Sequence, residues 1–375
     1  MLSSLGCAGG ENRSRSAVVA ARAHLVVRAS TRLRGHTGRS DMSATISPAE
    51  PKDETFEPVV PPKYPFSKAR AAAIAPQTLK LADGRNLEYR VDGDATKPAV
   101  VFVHGQHSTS ASVIMGGPRD DVFLVMPTRS GYGGSTPNKA LTYASIADDV
   151  RQLLDHLKIE RAHVIGASSG GPCALAIKAE LSGRVGKCVI ISGDTESGMS
   201  QGDLMCCAPG KACGCCFAPC CYPMCLVPMM KQMPPEDKMW ETIMNGTEAQ
   251  AKELGITAVE QAAWTAMDKH GGREQGTFVT GIFKEVMDRG SVGGLQDYIL
   301  EAKKWPADFV AKLGELDDVT FYHGDKDPVV PFDAMLHNAK YIPKATCHKY
   351  VGWGHELGVF MAHGILDEFA AGPPP

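Results

Sequence analysis

Residues 98–105, PAVVFVHG, are apolar without a break until a glycine ends the run. A strand buried on both faces has this pattern. DVFLVMP (121–127), AHVIGAS (162–168) and KCVIISG (187–193) repeat it, and DVTFYHG (318–324) and CHKYVGWG (347–354) resume it late in the chain. Between these runs the period changes. Ile146, Val150, Leu153, Leu154 and Leu157 share one face of a helix over 145–158, with Ser145 and Asp148 at its N-terminal cap. GGPCALAIKAEL (170–181) reads as a helix that begins as the third strand ends, and a final helix is expected near 356–370. QTLKLADGRNLEYRV (77–91) is two β-rich runs about an Asp83-Gly84 turn, a hairpin signal. Strands alternating with helices predict an α/β class: a mainly parallel sheet flanked by helices.

The alternation stops after Gly193. Over 194–316 the apolar spacing is helical, as in Met239, Trp240, Ile243 and Met244, and again in Phe278, Ile282, Phe283 and Val286. No parallel-strand pattern occurs there. The chain therefore reads as one α/β core, 67–193 and 317–375, interrupted by a helical block. That block holds MCCAPGKACGCCFAPCCYPMC (205–225), with eight of the chain's 12 cysteines.

Charge and composition narrow the function classes. Residues 1–42 carry seven Arg, no Lys and two acids, although the whole chain is at −3, so the body is acidic. An acidic body lacks the basic face of a nucleic-acid binder, and no such partner is expected. The absence of an apolar run of membrane-spanning length predicts no transmembrane helix. Residues 1–42, rich in Arg, Ser and Ala, have the composition of a transit peptide, which predicts import into a plastid, with the mitochondrion or the cytoplasm as alternatives. The Pro- and Glu-rich stretch 43–66 reads as linker.

The chemistry centres on Gly166-Ala167-Ser168-Ser169-Gly170, a G-x-S-x-G set between a buried strand and a helix. Such a turn pushes the central serine out of the sheet and tolerates only small neighbours, hence Gly166 and Gly170. It also sets Ser168 at a helix N-terminus, where peptide N–H groups such as that of Ser169 favour developing negative charge. A serine hydroxyl needs a base, and histidine, with an ordinary pKa of about 6.5, suits the task when a carboxylate orients it. HGDKDPVVP (323–331) offers Asp325 and Asp327 after one strand, and GWGHELG (352–358) offers His355 after the last.

VFVHG, GYGGSTP, VIGASSGGP, HGDKDPVVP and GWGH, in this order, resemble the α/β-hydrolase superfamily over about residues 77–193 and 318–370. The resemblance implies Ser168 as nucleophile, His355 as general base and Asp327 as acid, three positions before Val330-Pro331, with Asp325 the alternative acid. It implies an oxyanion hole from the backbone N–H groups of Gln106 and Ser169, on a scaffold of His104, Gly105, Gly166 and Gly170. His104 and His107 lie on the oxyanion loop and are not expected to act as bases. Two departures stand out: Thr128 replaces an aspartate frequent in relatives, and His107-Ser108 replaces a Pro-Gly. The resemblance further implies that 194–316 is a helical cap roofing the site.

The expected activity is hydrolysis of a carboxylic ester, small-molecule or lipid, through an acyl-enzyme, with no cofactor and no metal. The alternatives are an acyltransferase or lyase on the same scaffold, or a binding or sensor protein with an idle triad. The cysteine spacing lacks the paired C-x2-C of a zinc ribbon. Its apolar setting favours S-acylation or peripheral membrane contact through Cys206, Cys207, Cys213, Cys215, Cys216, Cys220, Cys221 and Cys225 over a disulfide cluster. The plain alternative is a cysteine-rich loop of the cap.

Overall fold

A computed structural model of the chain describes residues 51–58, 60, 62–113, 119–196, 235–289 and 292–372. The transit-peptide-like stretch and residues 197–234 of the inserted block, with the cysteine run 205–225, lie outside the described residues. Among the described residues nine strands form one sheet. They are β1 (Lys52–Glu54), β2 (Gln77–Lys80), β3 (Asn86–Gly93), β4 (Ala99–Val103), β5 (Phe123–Pro127), β6 (Ala162–Ala167), β7 (Val185–Ile191), β8 (Val319–Gly324) and β9 (Thr346–Tyr350). The spatial order is β1-β9-β8-β7-β6-β4-β5-β3-β2. All neighbours run parallel except β5/β3 and β3/β2. The order reverses at β4, which lies between β6 and β5, so the ends of β4 and β6 open a crevice where open α/β sheets place their sites.

The uninterrupted apolar runs are explained by two cores. Val101, Val103, Val164, Cys188 and Ile190 face one of them, while Val100, Phe102, Ile165, Val189 and Ile191 face the other. Helix α1 (Lys68–Ala73) adds Ala71 to the second core. Helices α2 (Tyr143–His156) and α3 (Gly170–Glu180) cover the first. The N-cap of α2 lies three residues before the expected one, Ser145. Thr142 is its N-cap and accepts from Ser145 N, and Ser145 reciprocates as the third residue of a capping box. Helix α3 is buried on nearly every side, from Gly170 to Lys178, because it lies between the sheet and its neighbours.

The described part of the inserted block is helical: α4 (Glu236–Asn245), α5 (Glu248–Glu253), α6 (Ala258–Met267), α7 (Gly272–Asp288), α8 (Val292–Glu301) and α9 (Ala307–Leu313). Met239, Trp240, Ile243 and Met244 are buried together with Ala251, Ile256 and Trp264, so they form this block's own core. The chain closes with α10 (Phe332–Lys340) and α11 (Leu357–Ala371), the latter packed on the second core.

Part of the stretch read as linker belongs to the sheet. β1 pairs in parallel with β9, Lys52 opposite His348 and Glu54 opposite Tyr350. Val351 N donates to Glu54 O (3.0 Å) and the Trp353 indole to Phe56 O (3.2 Å). The side chains of this segment are mostly exposed, so its pairing rests on backbone hydrogen bonds rather than on an apolar pattern.

Candidate functional site

The turn from β6 into α3 holds Ser168 at φ +53°, a left-handed backbone that non-glycine residues adopt at a cost of roughly 1–3 kcal/mol. The surroundings enforce it. Ser168 N donates to Ile191 O (3.0 Å), and Ser168 O accepts from Gly171 N (2.8 Å) and Asp194 N (3.0 Å). The flanking glycines are sterically required. A Cβ on Gly166 would lie 2.3 Å from Gly170 O, and one on Gly170 would lie 2.3 Å from Val103 O. Across the crevice Gly105 brings the loop after β4 against the serine, since a Cβ there would lie 3.0 Å from Ser168 Cβ. Ser169 is the N-cap of α3.

His355 lies in the turn between β9 and α11 with 23% of its side chain exposed. Its Nδ1 donates to Asp327 Oδ2 (2.8 Å), which leaves Nε2 as the free-facing nitrogen of the pair. Asp327 is fixed in turn: Oδ1 accepts from Val329 N (2.8 Å) and Val330 N (2.9 Å), and His323 Nε2 stands 3.5 Å from Oδ2. Burial would raise the Asp327 pKa, but the two histidines and the backbone donors hold it below the ordinary carboxylate value. Burial would lower that of His355. The Asp327 carboxylate, followed by Glu356 and Glu260, outweighs burial and lifts it to about 9. Among the described residues, Ser168 Oγ makes no direct hydrogen bond to His355.

Asp325 is turned elsewhere. Its Oδ1 accepts from Gly352 N (2.7 Å), so it caps the turn that carries His355 instead of meeting the imidazole. His104 is a strut: Nδ1 donates to Gly105 O (2.7 Å) and Nε2 accepts from Arg129 N (2.9 Å). Burial and the nearby Arg129 charge keep it neutral. His107, at φ +54°, is buried beside Phe283, and burial with Arg129 lowers its pKa to about 4. Gln106 reaches the inserted block through Nε2 to Gly294 O (3.2 Å).

Two buried ties to the inserted block carry no signal in the hydropathy pattern. Arg129 Nη1 meets Asp297 of α8 (2.7 Å) and Nη2 donates to Ser169 Oγ (2.9 Å). Tyr132 donates to the other Asp297 oxygen (2.5 Å) and accepts from His107 N (3.4 Å). The close approach requires glycine at 293, where a Cβ would sit 2.4 Å from the Tyr132 ring. On the histidine side, Glu260 of α6 accepts from Gly354 N (3.1 Å) and Glu356 N (2.8 Å). The carboxylate missing at position 128 is supplied from β3: Thr128 donates to Glu88 Oε1 (2.9 Å), and Glu88 Oε2 accepts from Gly134 N (2.8 Å). Among the described residues no cluster of His, Cys, Asp and Glu is spaced to hold a metal, and no helix is long and apolar enough to cross a membrane.

Comparison with known proteins agrees with this architecture. The model of the alpha/beta hydrolase fold family matches residues 98–205, from just before β4 to beyond β7. An uncharacterized hydrolase of Bacillus subtilis is 31% identical over 128 residues, 32% of this chain and 43% of that protein. A 3-oxoadipate enol-lactonase of Acinetobacter baylyi is 31% identical over 98 residues, 24% of this chain and 35% of that one. The chain thus spans less than half the length of these relatives. Among solved structures, an esterase from Exiguobacterium antarcticum superposes with a TM-score of 0.52 at 17% identity, covering 80% of this chain and 100% of the esterase. A bromoperoxidase from Bacillus anthracis gives 0.50 at 18%, covering 79% and 99%. The sheet order and the family match together give this chain an α/β-hydrolase fold.

Proposed function

We propose that the protein is a serine hydrolase acting on a carboxylic ester through an acyl-enzyme. The observation that carries this reading is the His355–Asp327 hydrogen bond of 2.8 Å, set in the same fold as a serine held at φ +53° on the strand-to-helix turn. In the reaction, Ser168 Oγ attacks the ester carbonyl carbon and its proton passes to His355 Nε2. The oxyanion is met by the N–H groups of Ser169 and Gln106; one such donor contributes about 3 kcal/mol of transition-state stabilisation. Collapse breaks the ester C–O bond, and the imidazolium returns the proton to the departing alcohol. Water then loses a proton to His355, attacks the acyl carbon, and Ser168 leaves with that proton. Asp327 holds the tautomer with hydrogen on Nδ1 throughout.

The Acinetobacter relative is by name an enol-lactonase, and a lactone is a cyclic ester, which supports the ester class. The substrate is a small-molecule or lipid ester, and the inserted helices, in our reading, act as a cap over the site. Labelling by a fluorophosphonate probe tests the assignment: wild type is expected to label and Ser168→Ala to stay dark. Equal labelling of the two removes Ser168 as nucleophile. Product analysis with an added alcohol separates hydrolysis from acyl transfer. Two further readings belong to segments outside the described residues. Plastid import of a fluorescent fusion of residues 1–60 tests the transit peptide, and hydroxylamine-sensitive palmitate-analogue labelling tests S-acylation at 205–225.

A further inference from the structure

We propose that Glu260, on the inserted helix α6, is a positioning residue for His355, gripping the peptide N–H on either side of the histidine and so aiming the imidazole. This rests on the reading of Ser168, Asp327 and His355 as a triad. Glu260 has no exposed surface. A carboxylate buried to that degree must have its lone pairs occupied, and three backbone donors occupy them. Oε2 accepts from Thr257 N (2.9 Å), the ordinary duty of the third residue in a capping box. Oε1 has no part in that cap. It accepts from Gly354 N (3.1 Å) and Glu356 N (2.8 Å), the two peptide groups that bracket His355.

The turn is shaped to this carboxylate. A Cβ on Gly354 would lie 2.6 Å from Glu260 Oε2, so position 354 accepts no side chain while the carboxylate is in place. Gly352, at φ +84°, is pressed against Val259 of the same helix, whose Cγ2 lies 2.8 Å from where its Cβ would stand. The glycines of GWGH are therefore fitted to the first turn of α6, and the histidine between its two gripped neighbours has little freedom to swing. The charged and titratable groups facing His355 are Asp327 from the loop after β8, His323 from β8, Glu356 from its own turn and Glu260 from α6. Glu260 adds to the field that makes the imidazole more basic, alongside its geometric hold.

Glu260→Ala removes both effects. Glu260→Gln keeps side-chain volume and one oxygen acceptor but loses the charge. In the full-length chain, the rate of fluorophosphonate labelling is measured across the histidine titration range, with Ser168→Ala and His355→Ala alongside. The His355 titration itself is followed by NMR of protein labelled with 15N-histidine. Glu260→Ala is expected to slow labelling roughly 10- to 100-fold, the scale of about a 1 Å misplacement. Glu260→Gln is expected to recover part of the rate, and in both variants His355 titrates at lower pH than in wild type. Wild-type rates and an unmoved His355 titration in both variants, with Ser168→Ala dark, overturn the role of Glu260 and leave the triad standing. Labelling of Ser168→Ala at the wild-type rate overturns the triad and this proposal together. If Glu260→Ala fails to fold, Glu260→Gln decides: an unmoved His355 titration in folded Glu260→Gln overturns the proposal.

Discussion

Replacing Asp327 by asparagine is the sharpest perturbation of the proposed mechanism, because it changes one proton and almost no volume. Val329 N and Val330 N both donate to Oδ1, so the amide oxygen of the new side chain is held there and its NH2 group turns to His355. The imidazole must then accept at Nδ1 and carry its proton on Nε2, the atom that should take the proton of Ser168. The charge loss can be sized. The carboxylates around His355 raise its pKa from 6.5 to about 9, and at 1.36 kcal/mol per unit that is roughly 3 kcal/mol of imidazolium stabilisation. Asp327 supplies the largest part of it, with Glu356 and Glu260 behind. About 3 kcal/mol is about two decades of rate, and the wrong tautomer carries the loss to roughly 10³–10⁴-fold. The assay is the second-order rate of fluorophosphonate labelling, with thermal unfolding to show that the variant is folded. Labelling of folded Asp327→Asn within a few-fold of wild type would refute the reasoning. If Asp325→Asn lost the rate in its place, the acid would have been misassigned.

The remaining expectations concern the same site. Since the folded His355 pKa lies above its unfolded value, the neutral base is scarce near neutrality, and kcat/KM should rise with pH toward about 9 instead of levelling off just above 6.5. The linked stability has the opposite trend: it is fully present below pH 6.5 and lost as pH rises through about 9, measurable as a falling midpoint in denaturant titrations. Gly105→Ala puts a methyl 3.0 Å from Ser168 Cβ and 3.5 Å from its Oγ; labelling should fall at least ~10-fold with little change in Tm, and an unaltered rate would show that the loop is free to retreat. Asp297→Ala leaves the Arg129 guanidinium buried without its carboxylate, and unfolding experiments should show a loss of about 3–5 kcal/mol.

The sequence was most legible where constraints are local. The parallel strands announce themselves because both faces of each are buried, so Val100 and Val101 are both apolar although they point opposite ways. The serine turn is readable because Gly166 and Gly170 touch atoms only a few positions away or on the adjacent strand. Long-range polar pairs are not readable. Arg129 and Asp297 are 168 positions apart, Gly354 and Glu260 are 94 apart, and an acid on a helix looks solvent-facing until its partner is known. The glycines of GWGH are a local trace of such an approach, and Gly293, pressed on the Tyr132 ring, is one that went unread. β1 escaped notice for a different reason. A three-residue edge strand of exposed side chains is specified by its neighbour's backbone, and KDE has no periodicity of its own.

That edge strand also fixes the order in which the molecule can be completed. Glu54 and Phe56 leave the ribosome early, yet their partners His348 and Trp353 follow 294 and 297 positions later. Contacts of such sequence separation are closed late in folding. The turn that presents His355 is held by Phe56 from the start of the described chain, by Glu260 from its middle and by Asp325 from near its end. A nascent chain therefore has its serine turn long before it has His355, the base proposed to activate it. Under the proposed mechanism, reactivity waits for the turn ahead of the final helix, and a chain stopped short of it would hold Ser168 without a base.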